Sequence, residues 1–155
     1  MLLTARECSQ AVRQRTFNPK SVGSIPTTPT TMSTTAMTLA VSMAEQSSHA
    51  KWKLGSVVWR GGSVLGKGFN RYRNNPSVVE HEKYFHCSVH AEVDAIRNAG
   101  DTEGAKLFVA RITRGGNLAL AKPCSRCMEV IREHGIKKVY YTDENGEWTF
   151  FRVWP

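Results

Sequence analysis

The sequence predicts an α/β protein of three layers, a mixed five-stranded sheet with helices on both faces. Three observations predict it. Apolar residues recur at helical spacing in three separate segments, with β-rich runs before, between and after them. The order along the chain is helix, hairpin, helix, strand, helix, strand, strand. A hairpin makes an antiparallel pair and a strand–helix–strand crossover makes a parallel one, so the sheet must be mixed. A length of 155 residues fits one domain.

Residues 1–35 stand apart from this pattern. They are rich in Thr and Ser, carry Pro19, Pro26 and Pro29, and show no sustained periodicity. Such a stretch buries too little apolar surface to offset its ordering entropy. A disordered tail, a transit peptide and a start codon set upstream of Met32 or Met37 all fit; disorder or a misplaced start is the preferred reading. The domain is expected over 36–155. Met37, Ala40, Val41 and Ala44 form one helical face, with Thr34 or Thr35 as cap, giving a helix over 36–48. Leu54 to Arg60 and Ser63 to Phe69 flank Gly61-Gly62, a hairpin signal because a primed turn needs positive φ. Residues 71–88 read as a long polar loop, either a solvated connection or a wall over a site. Helices are expected over 90–98 and 124–134, each followed by glycine, Gly100 and Gly135. Strands are expected over 106–113, 136–142 and 148–153, with turns at 114–117 and 143–146.

Composition narrows the function classes. The formal charge is +8, and from Met32 onward 17 basic residues face 12 acidic ones, leaving +5. A nucleotide phosphate and a nucleic acid both suit that balance. No apolar run approaches the ~18–20 residues that span a bilayer, so no membrane role is expected. Of the four cysteines, Cys124 and Cys127 form a tight pair, and there is no apolar secretory core. Metal binding is the better reading than a disulfide framework, and a reducing, soluble, cytoplasmic compartment is expected.

The chemistry centres on Val89-His90-Ala91-Glu92 and Pro123-Cys124-Ser125-Arg126-Cys127. Cys124 and Cys127, three apart at a helix start, can hold one ion, and the positive end of the helix favours their thiolates. Pro123 suits a helix start because its missing N–H is not needed there. His90 comes from another element, so two helix N-termini would converge on one metal. Three protein ligands leave one tetrahedral position to water, as in catalytic zinc sites. Glu92 lies two residues from His90 and can reach that position only if both occupy the first helical turn. There it would carry protons to a ring nitrogen and to a leaving amine. A structural zinc site completed by Cys87, His86 or His81, and a redox pair, are the blander readings of the Cys-x-x-Cys. The second leaves His90-Ala91-Glu92 unexplained.

A His-x-Glu followed by Pro-Cys-x-x-Cys resembles the zinc deaminases of nucleobases, here the cytidine and deoxycytidylate deaminase superfamily over about Met37 to Thr142. Cys127-Met128-Glu129-Val130-Ile131 and Gly135-Ile136-Lys137-Lys138-Val139-Tyr140-Tyr141 are most similar to the deoxycytidylate branch. The resemblance implies the cytidine-deaminase-like fold, hydrolytic deamination, one catalytic zinc on His90, Cys124 and Cys127, Glu92 as catalytic acid–base, and a homo-oligomer. It also implies base or sugar contacts from Asn70, in Gly68-Phe69-Asn70, and from the backbone N–H of Ala91. A second zinc on His81, His86 and Cys87 is not expected. The chain departs from the branch at Asp94, where deoxycytidylate deaminases often carry Asn.

The substrate expected is a free cytosine nucleotide, dCMP going to dUMP, with Arg71, Arg73 and Lys83 as candidates for the phosphate. The alternative is cytosine or adenine in single-stranded DNA or RNA, drawing on the charge and on Trp52, Trp59, Tyr72 and Phe85 as stacking rings. A non-enzymatic zinc fold would leave Glu92 without a role.

Overall fold

The computed structural model describes residues 31–49, 51–72 and 88–155. In chain order they form α1 (Thr31–Glu45), β1 (Lys53–Arg60), β2 (Ser63–Phe69), β3 (Arg71–Tyr72), β4 (Ser88–Val89), α2 (Ala91–Ala99), β5 (Lys106–Ile112), β6 (Leu118–Ala119), α3 (Ser125–Glu133), β7 (Lys138–Thr142) and β8 (Trp148–Arg152). Five strands run across the sheet in the order β2-β1-β5-β7-β8, and the short β6 pairs with β5. β5 and β7 are parallel, as a crossover through α3 requires. The β1–β2, β1–β5 and β7–β8 pairs are antiparallel.

Strand alternation sends neighbouring residues to opposite faces and creates two cores. On one face Val58, Leu107, Val109 and Val139 pack with Ala95 and Ile96 of α2 and with Cys127 and Ile131 of α3. On the other, Val57, Trp59, Phe108, Ala110 and Trp148 pack with Ala36, Met37, Ala40 and Met43 of α1. The sheet is therefore the middle of three layers. The hairpin turns at Gly61 and Gly62, with φ of 59° and 86°, which a primed turn demands.

Four boundaries differ from expectation. The first helix begins at Thr31, inside the stretch read as a tail, and ends at Glu45 rather than residue 48. Thr34, expected as a cap, lies inside the helix, where its carbonyl accepts from the Thr38 hydroxyl at 2.9 Å. Ser47 leaves the helix because its hydroxyl bonds Asn70 across the structure. Segment 114–122 supplies a sixth strand: Arg111 pairs with Ala119 and Ile112 with Leu118 around the turn closed by Thr113 N–H and Asn117 O at 2.8 Å. The ends of the polar loop also pair, Arg71 with Val89 and Tyr72 with Ser88. Residues 1–30 and 73–87 lie outside the described residues, and with them His81, His86, Cys87, Arg73, Lys83 and Phe85. Among the described residues no helix is long and apolar enough to cross a membrane.

Candidate active site

Two helix starts meet. His90 is the N-cap of α2, with φ −76° and ψ 144°, and Cys124 is the N-cap of α3, with φ −72° and ψ 168°. Both residues are extended, so their side chains precede the helix body, and neither uses its side chain to cap the helix. Cys127 sits one turn into α3 and is buried beneath Cys124. Its sulfur lies 3.2 Å from His90 Nδ1, and the Cys124 sulfur lies 3.6 Å from the same nitrogen. The ligand atoms of all three residues fall within 4.8 Å of one another.

The donor set fits zinc. Tetrahedral zinc with ordinary Zn–S and Zn–N bonds separates its ligand atoms by roughly 3.5–3.8 Å, close to the spacing found here. Two thiolates and one imidazole are also the soft, N/S set that zinc prefers. Among the described residues this is the one His, Cys, Asp or Glu group whose atoms converge in this way. Cys124 and Cys127 are free of any disulfide.

Glu92 lies in the first turn of α2 and is 3% exposed. Its carboxylate feels the charges of His90, Cys124 and Cys127. Burial raises its pKa above that of an ordinary glutamate, and nearby His90 works against that rise. The two sulfurs are driven apart. The hydrogen bond from Cys127, followed by His90, holds the Cys124 thiol down at about 4. The same contact with Cys124, together with burial and the nearby Glu92, pushes the Cys127 thiol well up. Four acid–base groups compete for protons within one small volume.

The structure places the other expected residues as follows. Ala91 is the first residue of α2 and fully buried, between His90 and Glu92. Asn70 is buried, and its carboxamide ties chain segments together. Oδ1 accepts from Leu54 N–H at 2.7 Å and from the Ser47 hydroxyl at 2.6 Å, and Nδ2 donates to Trp52 O. Arg71 is engaged by Asp94, Nη1 to Oδ2 at 2.7 Å.

Sequence reasoning missed three features of the described structure. Asp94 was noted as a departure, without its partner. Arg111 is 4% exposed and stacks on Trp52 at 4.1 Å from the ring centroid. Burial lowers its pKa to about 10, which leaves it charged at neutral pH. His49 stacks on Tyr72 with centroids 4.7 Å apart. A helical spacing of four from His90 could have flagged Asp94. Nothing local signals the other two, which depend on strand register.

The model of the cytidine and deoxycytidylate deaminase zinc-binding region matches residues 30–143. Among solved structures the chain is similar to dCMP deaminase from the cyanophage S-TIM5, at 26% identity over 72% of this chain and 82% of that one, TM-score 0.53. Cytidine deaminase from Burkholderia pseudomallei shares the fold at 20% identity, over 77% and 91% of the two chains, TM-score 0.58. A diaminohydroxyphosphoribosylaminopyrimidine deaminase/5-amino-6-(5-phosphoribosylamino)uracil reductase from Thermotoga maritima is 27% identical over 73% of this chain and 30% of that one, TM-score 0.50. No curated protein matches the sequence. A match across most of the length, on a fold that brings His90, Cys124, Cys127 and Glu92 together, means that the chain belongs to the zinc-binding cytidine and deoxycytidylate deaminase family.

Proposed function

We propose that the protein deaminates a free cytosine nucleotide, converting dCMP and water to dUMP and ammonia. The observation that carries this reading is Glu92, buried in the first turn of α2 against the His90–Cys124–Cys127 cluster. His90 and the two cysteines would hold one zinc. Zinc, when bound, would supply the nucleophile by lowering the pKa of water to about 7.

The chain's own residues do the rest. Glu92 takes a proton from water as the oxygen adds to C4 and passes it to N3 of the cytosine ring. It then takes the second proton from the hydroxyl now on C4 and delivers it to the amine as the C4–N bond breaks, leaving the uracil carbonyl and ammonia. A proton carrier works best with a pKa near the working pH, and burial moves Glu92 in that direction. The Ala91 N–H is offered to the base. Asn70 holds the 47–54 segment against the end of β2, and its second amide hydrogen is offered to the substrate. A homo-oligomer belongs to the same reading and is tested by the solution mass of zinc-loaded protein.

Support for a nucleotide comes from the likeness to the cyanophage dCMP deaminase and from the aromatic residues. Of the four rings read as stacking on a polynucleotide, Phe85 lies outside the described residues, Trp59 belongs to the α1 core, Arg111 covers Trp52, and Tyr72 stacks on His49. The test is ammonia release from zinc-loaded protein offered dCMP, with Glu92→Ala alongside. Wild-type release, with a variant that keeps zinc and loses turnover, supports the proposal. Zinc loss in the variant would make Glu92 a ligand and sink the mechanism. No release from protein holding one zinc would transfer the reading to cytosine- and adenine-containing oligonucleotides.

A further inference from the structure

We propose that Arg71 and Asp94 form a clamp that positions the first turn of α2, and that Arg71 acts through Asp94 rather than on a substrate phosphate. The inference rests on the deaminase reading only for its kinetic arm.

Asp94 closes the turn that carries His90 and Glu92. Its backbone N–H donates to the His90 carbonyl at 3.0 Å, the first helical bond of α2. Its carboxylate reaches the other way. Oδ2 accepts from Phe69 N–H at 3.3 Å and from Arg71 Nη1 at 2.7 Å. One side chain therefore joins the end of β2, the strand β3 and the helix. Arg71 in turn pairs with Val89 across the β3–β4 ribbon, and Val89 is followed directly by His90. His90 is thus held on both sides, by the ribbon before it and by the helix after it, and the ion pair ties those two sides together.

The energetics are lopsided. The Asp94 side chain is 5% exposed and that of Arg71 is 41% exposed. A half-exposed guanidinium is easily solvated, so the pair adds little by simple attraction. A buried carboxylate that loses its charged partner has no such refuge and must move or draw in water. Each of those responses disturbs the turn on which His90 and Glu92 stand. The chain also matches its own departure from the deoxycytidylate branch. An amide at position 94 could still accept from Phe69 N–H and from a guanidinium, but without the charge that makes the present contact an ion pair. Asp and Arg occur here as a set.

The test uses full-length zinc-loaded protein and the variants Arg71→Ala, Arg71→Lys, Asp94→Asn and the double variant Arg71→Ala/Asp94→Asn. Zinc release to a chromophoric chelator is timed, and kcat and KM are measured on dCMP and on deoxycytidine. The clamp predicts faster zinc release, on the order of tenfold, in Arg71→Ala. The double variant should release zinc no faster than the worse single one, because both remove one interaction. Arg71→Lys should recover part of the loss. kcat should fall by the same factor on both substrates, with the ratio of their KM values unchanged. Wild-type zinc release in Arg71→Ala would overturn the clamp. A rise in KM for dCMP alone, with zinc release and kcat unaltered, would overturn it in favour of a phosphate contact. If the wild type deaminates neither substrate, the functional reading fails while the zinc-release arm still decides the clamp.

Discussion

Gly68→Ala tests whether the seat of α2, rather than general stability, sets the activity. Gly68 lies near the end of β2 with its α-carbon against the first turn of α2. A β-carbon there would fall closer than 3.0 Å to the Ala91 carbonyl oxygen, the Asp94 carbonyl carbon and the Ala95 nitrogen. All three are backbone atoms, so no side-chain rotation relieves the clash. Carbon contacts settle near 3.5–4.0 Å, so the turn bearing His90 and Glu92 must retreat by on the order of 1 Å, a misplacement that costs about 100-fold in rate. Overpacking of this kind also destabilises by roughly 1–3 kcal/mol, or about 4–15 °C in Tm for a domain of this size. Gly61→Ala is the control. It sits in the hairpin turn at φ 59°, with nothing within 4 Å of a new β-carbon. The left-handed conformation alone costs roughly 1–2 kcal/mol, so its stability loss is similar, but α2 is untouched. The assay is kcat on dCMP at a temperature well below both midpoints, with Tm recorded for each variant. Gly68→Ala should lose about 100-fold in kcat while Gly61→Ala stays within twofold of wild type. Equal losses in both, or full activity in Gly68→Ala, would refute the argument that β2 seats the catalytic turn.

Ile131 is fully buried in the core shared with Cys127 and Val139; Ile131→Ala should cost about 2–5 kcal/mol in a denaturation curve. Cys127→Ser should abolish stoichiometric zinc by metal analysis. Cys87→Ser should keep one zinc per chain, since Cys87 is read as no part of the ligand set. His49 accepts Lys51 N–H at 3.3 Å and Trp52 N–H at 3.2 Å on Nδ1, and burial lowers its pKa. The unfolded chain therefore gains the His49 proton first. Stability is intact above the unfolded value of about 6.5 and falls as pH drops through it toward the folded pKa. Urea midpoints of zinc-loaded protein at pH 7.5 and 5.5 should converge in His49→Gln relative to wild type, and an unchanged gap would count against this account.

The convergent His90, Cys124 and Cys127 were legible in the sequence because they lie in local strings. His90 with Glu92, and Cys124 with Cys127, are each set by one helical turn, and glycine and periodicity marked the helices they begin. The hairpin was legible for the same reason, since Gly61-Gly62 admits the positive φ its turn needs. What could not be read depends on partners distant in the chain. The sequence pointed to Asn70 as a substrate contact but not to its structural partners, Ser47, Trp52 and Leu54, which lie 16 to 23 residues away in the chain. The sequence offered Arg71 as a phosphate candidate but did not show its pairing with Asp94 at 2.7 Å, 23 residues away in the chain. The β6 strand is two residues long and exists through its pairing with β5. Its own sequence, Leu118-Ala119, has no strand character.

Topology explains why those two local strings meet. β2 is antiparallel to β1, and β1 is antiparallel to β5, so β2 runs the same way as β5. β7 is parallel to β5 and shares that direction. Both α2 and α3 connect strands of this common sense, and both must run back against them to do so. Crossovers of one hand place both helices on one face of the sheet, where Ala95 and Ile96 of α2 share a core with Cys127 and Ile131 of α3. Helices that start from one edge, on one face, side by side, present their N-termini together. The residues at those two N-caps are His90 and Cys124. The positive ends of both helices then favour thiolates and a carboxylate at the spot where the cluster lies. The sheet order β2-β1-β5-β7 thus converts two short motifs, 34 residues apart in sequence, into one three-donor cluster with the buried Glu92 beside it.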